Sequence, residues 1–589
     1  MERNQVPAER KWRTEDIFEN QQEFEKLYRS VNERINFTAY QGKLSDPGLL
    51  FACLESVNAV VKDLSILSVY AYMRHDEDTR SSEFSALLSR TSDLEMKLAS
   101  QTAFITPELT ALPDKTLREL AANPKFRDYD YTIRNIIRQK PHILSAEMEN
   151  LLSQESKVFD TPRQVFTMLN NADFAAPTIR AGGKCVTLTH GMYGMMLRSP
   201  DRHVRKSAFQ AYYKFYIQHA HTLAQNYIGN IEKNIFLARA RHYGSSVECA
   251  MDAEDVSVRV YNNLMDSVNE ALPMLHRYFA DRKRILGCKK LHMYDIYTSL
   301  VEDAELSVDY EEAFRIVKEG LLPLGERYQQ LLDEAHDNGW IDVEETDGKR
   351  SGAYSICVYG LKHPYVLLNY QKCTNDIFTI AHELGHAMHS YHSCLHQPQE
   401  KADYKIFVAE VASTVNEVLL IKHLLKKATD VRLKKYLLSY YLDMLKSTLF
   451  RQTQFAEFEY QAHAMAERGE PLTVETLCDM YYKLNHKYYG PAVVSDDEIA
   501  YEWSRIPHFY RSFYVYKYAT GIISAVSIAD RIENGGQAAV DDYFRFLSSG
   551  GSDSPVELLK LAGVDLMKKD AFRTAMASFE HALREFESL

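Results

Sequence analysis

The stretch His382-Glu383-Leu384-Gly385-His386 sets two imidazoles four residues apart, with a carboxylate beside the first. The run from Asp376 to Tyr391 reads as a helix, and on a helix residues i and i+4 share a face. Two imidazoles there can hold one zinc ion, and Glu383 can reach a water activated beside it. That is the chemistry of metal-assisted hydrolysis. The plain structural alternative is a helix with two satisfied histidines. Its flanks weigh against that alternative. Ile377, Phe378, Ile380, Ala381, Ala387 and Met388 mark a buried helix. Two close, buried histidines with a glutamate between them are best explained by a bound cation.

A catalytic zinc site needs a third protein ligand and an open position. One class places a His six residues after the second, with a Gly midway to break the helix. His392 has that offset, but the midway residue is His389, so the helix is expected to continue and turn His392 away. Another class places a Glu nineteen residues on, where this chain has Lys405. The residues from Phe407 to Glu417 form a second apolar helical pattern, and Glu410 and Glu417 lie two turns apart on one face. Carboxylates in so apolar a helix are costly unless paired or metal-bound. Glu410 is assigned as third ligand, and Glu417 as the acceptor for the outer N–H of a ligand histidine. An ordinary ion-paired Glu is the bland alternative. His389, a turn beyond His386, is a poor ligand and a better substrate contact or outer partner.

The segment from His508 to Tyr518 is dense in polar aromatics. Taken alone it is a half-buried helix in a chain with 38 Tyr. A hydrolase, however, needs donors aimed at the developing oxyanion, and His508, Tyr514 and Tyr518 suit that task. If the segment is helical, Tyr514 and Tyr518 share a face and Tyr516 points elsewhere.

The elements that must position these groups read as mostly helical. Gly and Pro are sparse, 24 and 17 in 589 residues, which favours long helices over a many-turned β architecture. Amphipathic patterns such as Glu19–Ile35 and Glu83–Ala103 fill residues 1 to about 180. Residues 184–194 turn Val/Thr-rich, a short strand or loop. Ser199-Pro200 reads as a helix start, so the main boundary falls near 199, giving an N-terminal helical lobe over 1–199 and a catalytic domain over 200–589. Tyr354, Ile356 and Val358 alternate with polar neighbours, Asp347-Gly348 marks a turn, and 365–370 is a second apolar run. A small sheet therefore precedes the metal helix, either as a structural hairpin or as an edge that pairs with substrate backbone. Leu438, Tyr441, Leu445 and Leu449 open a long helical stretch stopping at Arg468-Gly469, and Ser554-Pro555-Val556-Glu557 reads as a capping box.

A net charge of −12 without a basic arm argues against nucleic acid and anionic membranes as main partners. Residues 1–20 lack an apolar core, so they are not read as a secretory signal, and no run of 18 apolar residues exists. The eight Cys are scattered without C-x-x-C, and Cys373 and Cys394 flank the metal helix without ligand spacing. These features suit reduced thiols in a cytoplasmic protein.

With these residues in hand, the chain resembles oligoendopeptidase F, a bacterial branch of the thimet-oligopeptidase-like zinc metallopeptidases. Matching stretches are Lys11-Trp12, Gly352-Ala353-Tyr354, Leu368-Asn369-Tyr370, His382 through Ser390, Phe407-Val408-Ala409-Glu410, Ile506 through Tyr510, and Ser549-Gly550-Gly551. The resemblance implies a mainly α fold, two helical lobes around a deep substrate channel with a small β-sheet next to the metal helix. It implies one Zn²⁺ per chain on His382, His386 and Glu410, with Glu383 as general base. Substrates would be short peptides cut at internal bonds. His508, Tyr514 and Tyr518 look like the counterparts of the thimet-branch His and Tyr that contact the substrate carbonyl, while a further tyrosine of that branch falls at Gly521 here. Two alternatives use the same residues. A zinc exopeptidase would need a charged anchor for a peptide terminus, such as Arg505 or Arg511. A non-catalytic peptide-binding protein would have no need of Glu383.

Overall fold

A computed structural model describes residues 1–301 and 304–589. As expected, these residues are mainly helical, and their strands form only two two-stranded pairs and one three-stranded sheet. The chain forms two compact units. The first comprises Met1–Pro141, Leu306–Lys426 and Ala525–Asp565, and the second His142–Glu305, Lys427–Ser524 and Leu566–Leu589.

The first unit is organised by a long helix, Pro47–Glu77. Asp46 caps it by accepting from the Leu49 N–H, and Pro47 occupies the first turn, where its missing N–H costs nothing. It packs with the Gln21–Arg34 and Ser82–Thr102 helices around Phe24, Val31, Leu64, Leu67, Leu87 and Leu94. Further along, Val69 and Met73 meet Trp12, Tyr365 and Leu367, joining the helix to the three-stranded sheet. There the strand Tyr365–Leu367 lies between Ile341–Asp342, which it pairs with in parallel, and Tyr354–Ile356, antiparallel. Tyr354–Ile356 is therefore an edge. The alternation in the sequence extends to Val358, but the strand stops at Ile356. The chain turns there, with Leu361 N–H bonding Val358 O and Gly360 at φ +99°. The Asp347-Gly348 turn forms as expected, with Lys349 N–H on Thr346 O and Gly348 at φ +83°.

The helix Thr374–His396 follows the sheet and extends beyond the 376–391 window at both ends. A capping box starts it, the Asp376 carboxylate accepting from the Cys373 N–H. It packs against the helix Ile406–Lys427 through a very close crossing. A methyl group on Gly385 would lie 2.5 Å from Ser413 Cα and 2.7 Å from Ala412 O, so only glycine fits. Buried Asn416 pins the crossing, donating to Ala381 O at 2.9 Å while accepting from Tyr328 Oη at 3.0 Å. Gly551 N–H bonds Lys401 O at 2.8 Å, which seats the Ser549-Gly550-Gly551 stretch beside the end of the same helix.

In the second unit, the Val/Thr-rich region becomes an antiparallel pair, Thr178–Ala181 with Lys184–Thr187. The helix expected at Ser199-Pro200 begins instead at Arg202. Asp201 is its cap, accepting from His203 N–H at 2.8 Å, and the Ser199 hydroxyl accepts from Asp201 N–H instead. The later stretch runs through Val431–Leu445, a wider turn Lys446–Phe450 and Arg451–Glu467, and it stops at Arg468 with Gly469 at φ +76°. Back in the first unit, the Ser554 hydroxyl accepts from Glu557 N–H, with Pro555 in the first turn. Among the described residues no helix is long and apolar enough to cross a membrane.

Gly385→Ala should lower the melting temperature by the equivalent of about 1–3 kcal/mol of overpacking. A calorimetric scan superimposing on the wild type would refute the close crossing.

Candidate metal centre and active site

The helical period brings His382 and His386 to one face, and the Gly385 crossing lets Glu410 of the neighbouring helix reach them. His382 Nε2 lies 3.1 Å from His386 Nε2 and 3.4 Å from Glu410 Oε2, and His386 Nε2 is 3.7 Å from the same oxygen. The ring planes stand 80° apart. Among the described residues, His382, His386 and Glu410 form the one group of three or more whose ligand atoms could share an ion. His392 is not in it. The helix continues through His389 to His396, leaving His392 fully buried against Phe544.

The outer contacts indicate what the group can hold. His382 Nδ1 is hydrogen-bonded to Glu417 Oε1. With that nitrogen donating, the Nε2 lone pair faces His386 and Glu410. Two imidazole nitrogens and a carboxylate oxygen this close repel one another unless a cation or a shared proton lies among them. Burial opposes a charge on His382, yet Glu410 and Glu417 outweigh it and hold its pKa well above the ordinary imidazole value. The same two carboxylates favour a divalent cation. His386 goes the other way. Burial, then the neighbouring His382, depress it to about 4, so it presents a neutral ring. The donor set of two imidazoles and one carboxylate therefore fits a catalytic zinc ion with an open position.

Glu383 is 7% exposed. Burial, reinforced by Glu410 and Glu417 against the pull of His382, raises its carboxyl to about 7. A carboxyl so placed can both take and return a proton near neutrality. All four residues line one cavity of about 730 Å³, whose wall includes the edge residues Tyr354 and Ser355.

His389 corrects the sequence reading. It is 1% exposed, stacked on Tyr404 at 3.9 Å, and neither ring nitrogen has a hydrogen-bond partner among the described residues. Burial holds it neutral, with its pKa down at about 3, so it is a packing residue and not a substrate contact. Cys373 caps the metal helix, and Cys394 and Cys357 both line the cavity wall. Sequence reasoning missed Cys357 and Tyr404, because neither carries a spacing signal.

The aromatic trio lies in the second unit. His508, Tyr514 and Tyr518 are brought together there, but not by a common helix. The helix begins at Tyr516, so Tyr514 precedes it, after Phe513 at φ +55°. That turn is pinned by Glu459, whose Oε1 accepts from the Phe513 N–H at 2.7 Å. Tyr518 Oη and His508 Nε2 are 3.4 Å apart, His508 stacks with Tyr514 at 6.1 Å, and the two tyrosine rings are 5.5 Å apart. Burial, with Arg511 nearby, lowers the His508 pKa and keeps the ring neutral. Tyr516 points away, 1% exposed and packed on Tyr261. Of the two candidate anchors for a peptide terminus, Arg505 is taken: it is bonded to Glu502 at 2.5 Å and Tyr213 at 3.1 Å. Arg511 stacks over Tyr514 at 4.3 Å.

Known proteins share this fold and sequence. The profile of peptidase family M3 matches residues 195–578, and that of oligopeptidase F residues 108–175. Oligopeptidase PepF of Bacillus subtilis is 42% identical over all of this chain and 88% of its own length. A solved protein of Chlamydophila abortus is 34% identical with a TM-score of 0.94, covering 100% of this chain and 99% of its own. Oligoendopeptidase-F from Enterococcus faecium is 37% identical with a TM-score of 0.74, covering 96% and 99%. The chain belongs to peptidase family M3, a family of metallopeptidases. Within it, the full-length match to the oligopeptidase F relatives makes this a metalloendopeptidase of that branch.

Glu417→Gln should keep the fold but weaken metal binding about 10- to 100-fold, since such outer partners fix the ligand ring and its basicity. Competition with a chromophoric chelator reads the change, and an unaltered affinity would remove Glu417 from this role.

Proposed function

We propose that the protein is a zinc-dependent oligoendopeptidase that hydrolyses internal bonds of short peptides. The observation that carries this reading is the convergence of His382, His386 and Glu410 on one point, with the carboxyl of Glu383, raised to about 7, in the same cavity. His382, His386 and Glu410 would hold one Zn²⁺, oriented by Glu417. Bound there, zinc supplies Lewis-acid chemistry, polarising a carbonyl and acidifying water. Glu383 takes the proton of the attacking water on its carboxylate and returns it to the leaving amine. The unpaired side of Tyr354–Ile356 offers backbone groups to an extended peptide, which would hold the cut bond beside Glu383. His508, with Tyr514 or Tyr518, is assigned to the oxyanion. Support for that role comes from the family resemblance and from the mutual contacts of the three rings.

The fold and charge support the wider reading too. A net charge of −12 favours peptide substrates over nucleic acid or anionic membrane. The scattered thiols suit the cytoplasm. The two family profiles part between 175 and 195, which supports an N-terminal region over 1–199 and a catalytic region over 200–589.

Mass spectrometry of products from a mixed set of 5- to 20-residue peptides, with chelator and with zinc added back, tests the reading. Internal cuts in the shorter peptides, lost with chelator and restored by zinc, are expected. Stepwise trimming from one end would make it an exopeptidase, and zinc binding without cleavage a peptide-binding protein. Glu383→Gln should keep zinc and lose nearly all turnover, whereas Glu410→Ala should lose zinc. Tyr518→Phe and His508→Ala should each lower kcat about 10²–10³-fold at unchanged metal content. A full rate in either variant would take that residue out of the oxyanion role.

A further inference from the structure

Lys62 is the one Lys or Arg lining the metal cavity among the described residues, where the other charged groups are Asp403, Glu383, Glu410 and the two histidines. It sits mid-way along the Pro47–Glu77 helix and is half-buried. Its stem is laid down by the turn after the edge strand. Gly360, at φ +99°, has no side chain, and a Cβ there would meet Lys62 Cε at 2.8 Å and Cγ at 3.4 Å. The glycine thus leaves room for the four-carbon stem of Lys62, a residue of the cavity wall. Among the described residues none hydrogen-bonds the ammonium of Lys62. No carboxylate among the described residues pairs with Lys62. Asp63 beside it is bonded to Arg34 at 2.5 Å, and Asp403 accepts from the Tyr404 N–H. A lysine on an open surface would simply be solvated. This one is part of the wall of a cavity already holding the proton-transfer and metal-binding groups, where an unpaired cation raises the local concentration of anions and binds them more strongly than in water.

We propose that Lys62 forms a carboxylate-binding subsite of this cavity, so that the enzyme prefers peptides carrying an anionic group at one fixed distance from the cut bond. The inference rests on the peptidase reading above and adds a substrate class to it. The carboxylate can come from an Asp or Glu side chain or from the C-terminus of the peptide. A charge-assisted bond of this kind selects acid over isosteric amide by about tenfold.

The test uses peptide pairs differing only as Glu against Gln at successive positions around the cut, and as free acid against C-terminal amide. Wild type, Lys62→Met, which keeps the stem, and Lys62→Arg, which keeps the charge, are compared by kcat/KM. One pair should show about a tenfold preference for the acid in the wild type, carried mainly by KM. The preference should collapse towards unity in Lys62→Met and persist in Lys62→Arg. Preference tied to a side chain survives C-terminal amidation. Preference tied to the chain end is abolished by amidation and fixes the cut at a constant distance from that end. The same pairs are titrated by fluorescence anisotropy against Glu383→Gln protein, with and without Lys62→Met. Selective binding without turnover in the wild type would sink the peptidase reading and leave the subsite standing. Acid and amide equal at every position in the wild type, or a preference unchanged in Lys62→Met, would overturn the subsite.

Discussion

The metal centre depends on two helix backbones meeting at Gly385. Side chains normally hold helix axes 8–10 Å apart. Here the glycine inside the metal motif removes that spacer, and the backbone at Ala412 and Ser413 fills its place. Glutamate is short, and Glu410 can reach a point shared with His382 and His386 only because its helix lies this near. The buried Asn416 bond to Ala381 O fixes the register of the two helices one turn away. Capping at Cys373 and Asp376, and the glycine stretch at 550–551, secure the metal helix near its ends, so the ligands sit on its most constrained middle turns.

That geometry concentrates charge. Glu383, Glu410 and Glu417 surround two imidazoles, and the pKa values of Glu383 and Glu410 diverge according to contact. Glu410, flanked by both histidines, stays below the ordinary carboxylate value in spite of burial, whereas Glu383 is driven up to about 7. One carboxylate is thereby suited to holding a cation and its neighbour to exchanging a proton, with nothing but position to distinguish them.

Much of the metal centre is legible in the sequence because a helix converts spacing into direction. Offsets of four and seven residues place His382 with His386, and Glu410 with Glu417, on single faces, and apolar flanks identify the helices as buried. What the offsets do not carry is tertiary. Tyr514 and Tyr518 meet as their spacing suggests, yet Tyr514 is outside the helix, held by a turn at Phe513 that Glu459, distant in sequence, fixes. Arg505 is removed as an anchor partly by Glu502, three residues away, and partly by Tyr213, a partner distant in sequence that no local pattern reveals. The two compact units are each assembled from three separated stretches of chain, and a boundary sought along the sequence can only approximate such an arrangement. At the Asp201 cap the error is local, a carboxylate prevailing over a nearby hydroxyl.

The packing of His389 and His392 makes acid a specific adversary of this fold. Both imidazoles are buried, and burial depresses both to about 3. Once the chain opens, each regains an ordinary pKa near 6.5. Their neutral forms therefore support the native state fully above about pH 6.5. As the pH falls from there towards 3, the unfolded chain binds protons that the folded chain refuses, and stability drains away. Two residues inside the metal helix thus tie the integrity of the centre to a near-neutral environment, independently of any proton the reaction itself requires.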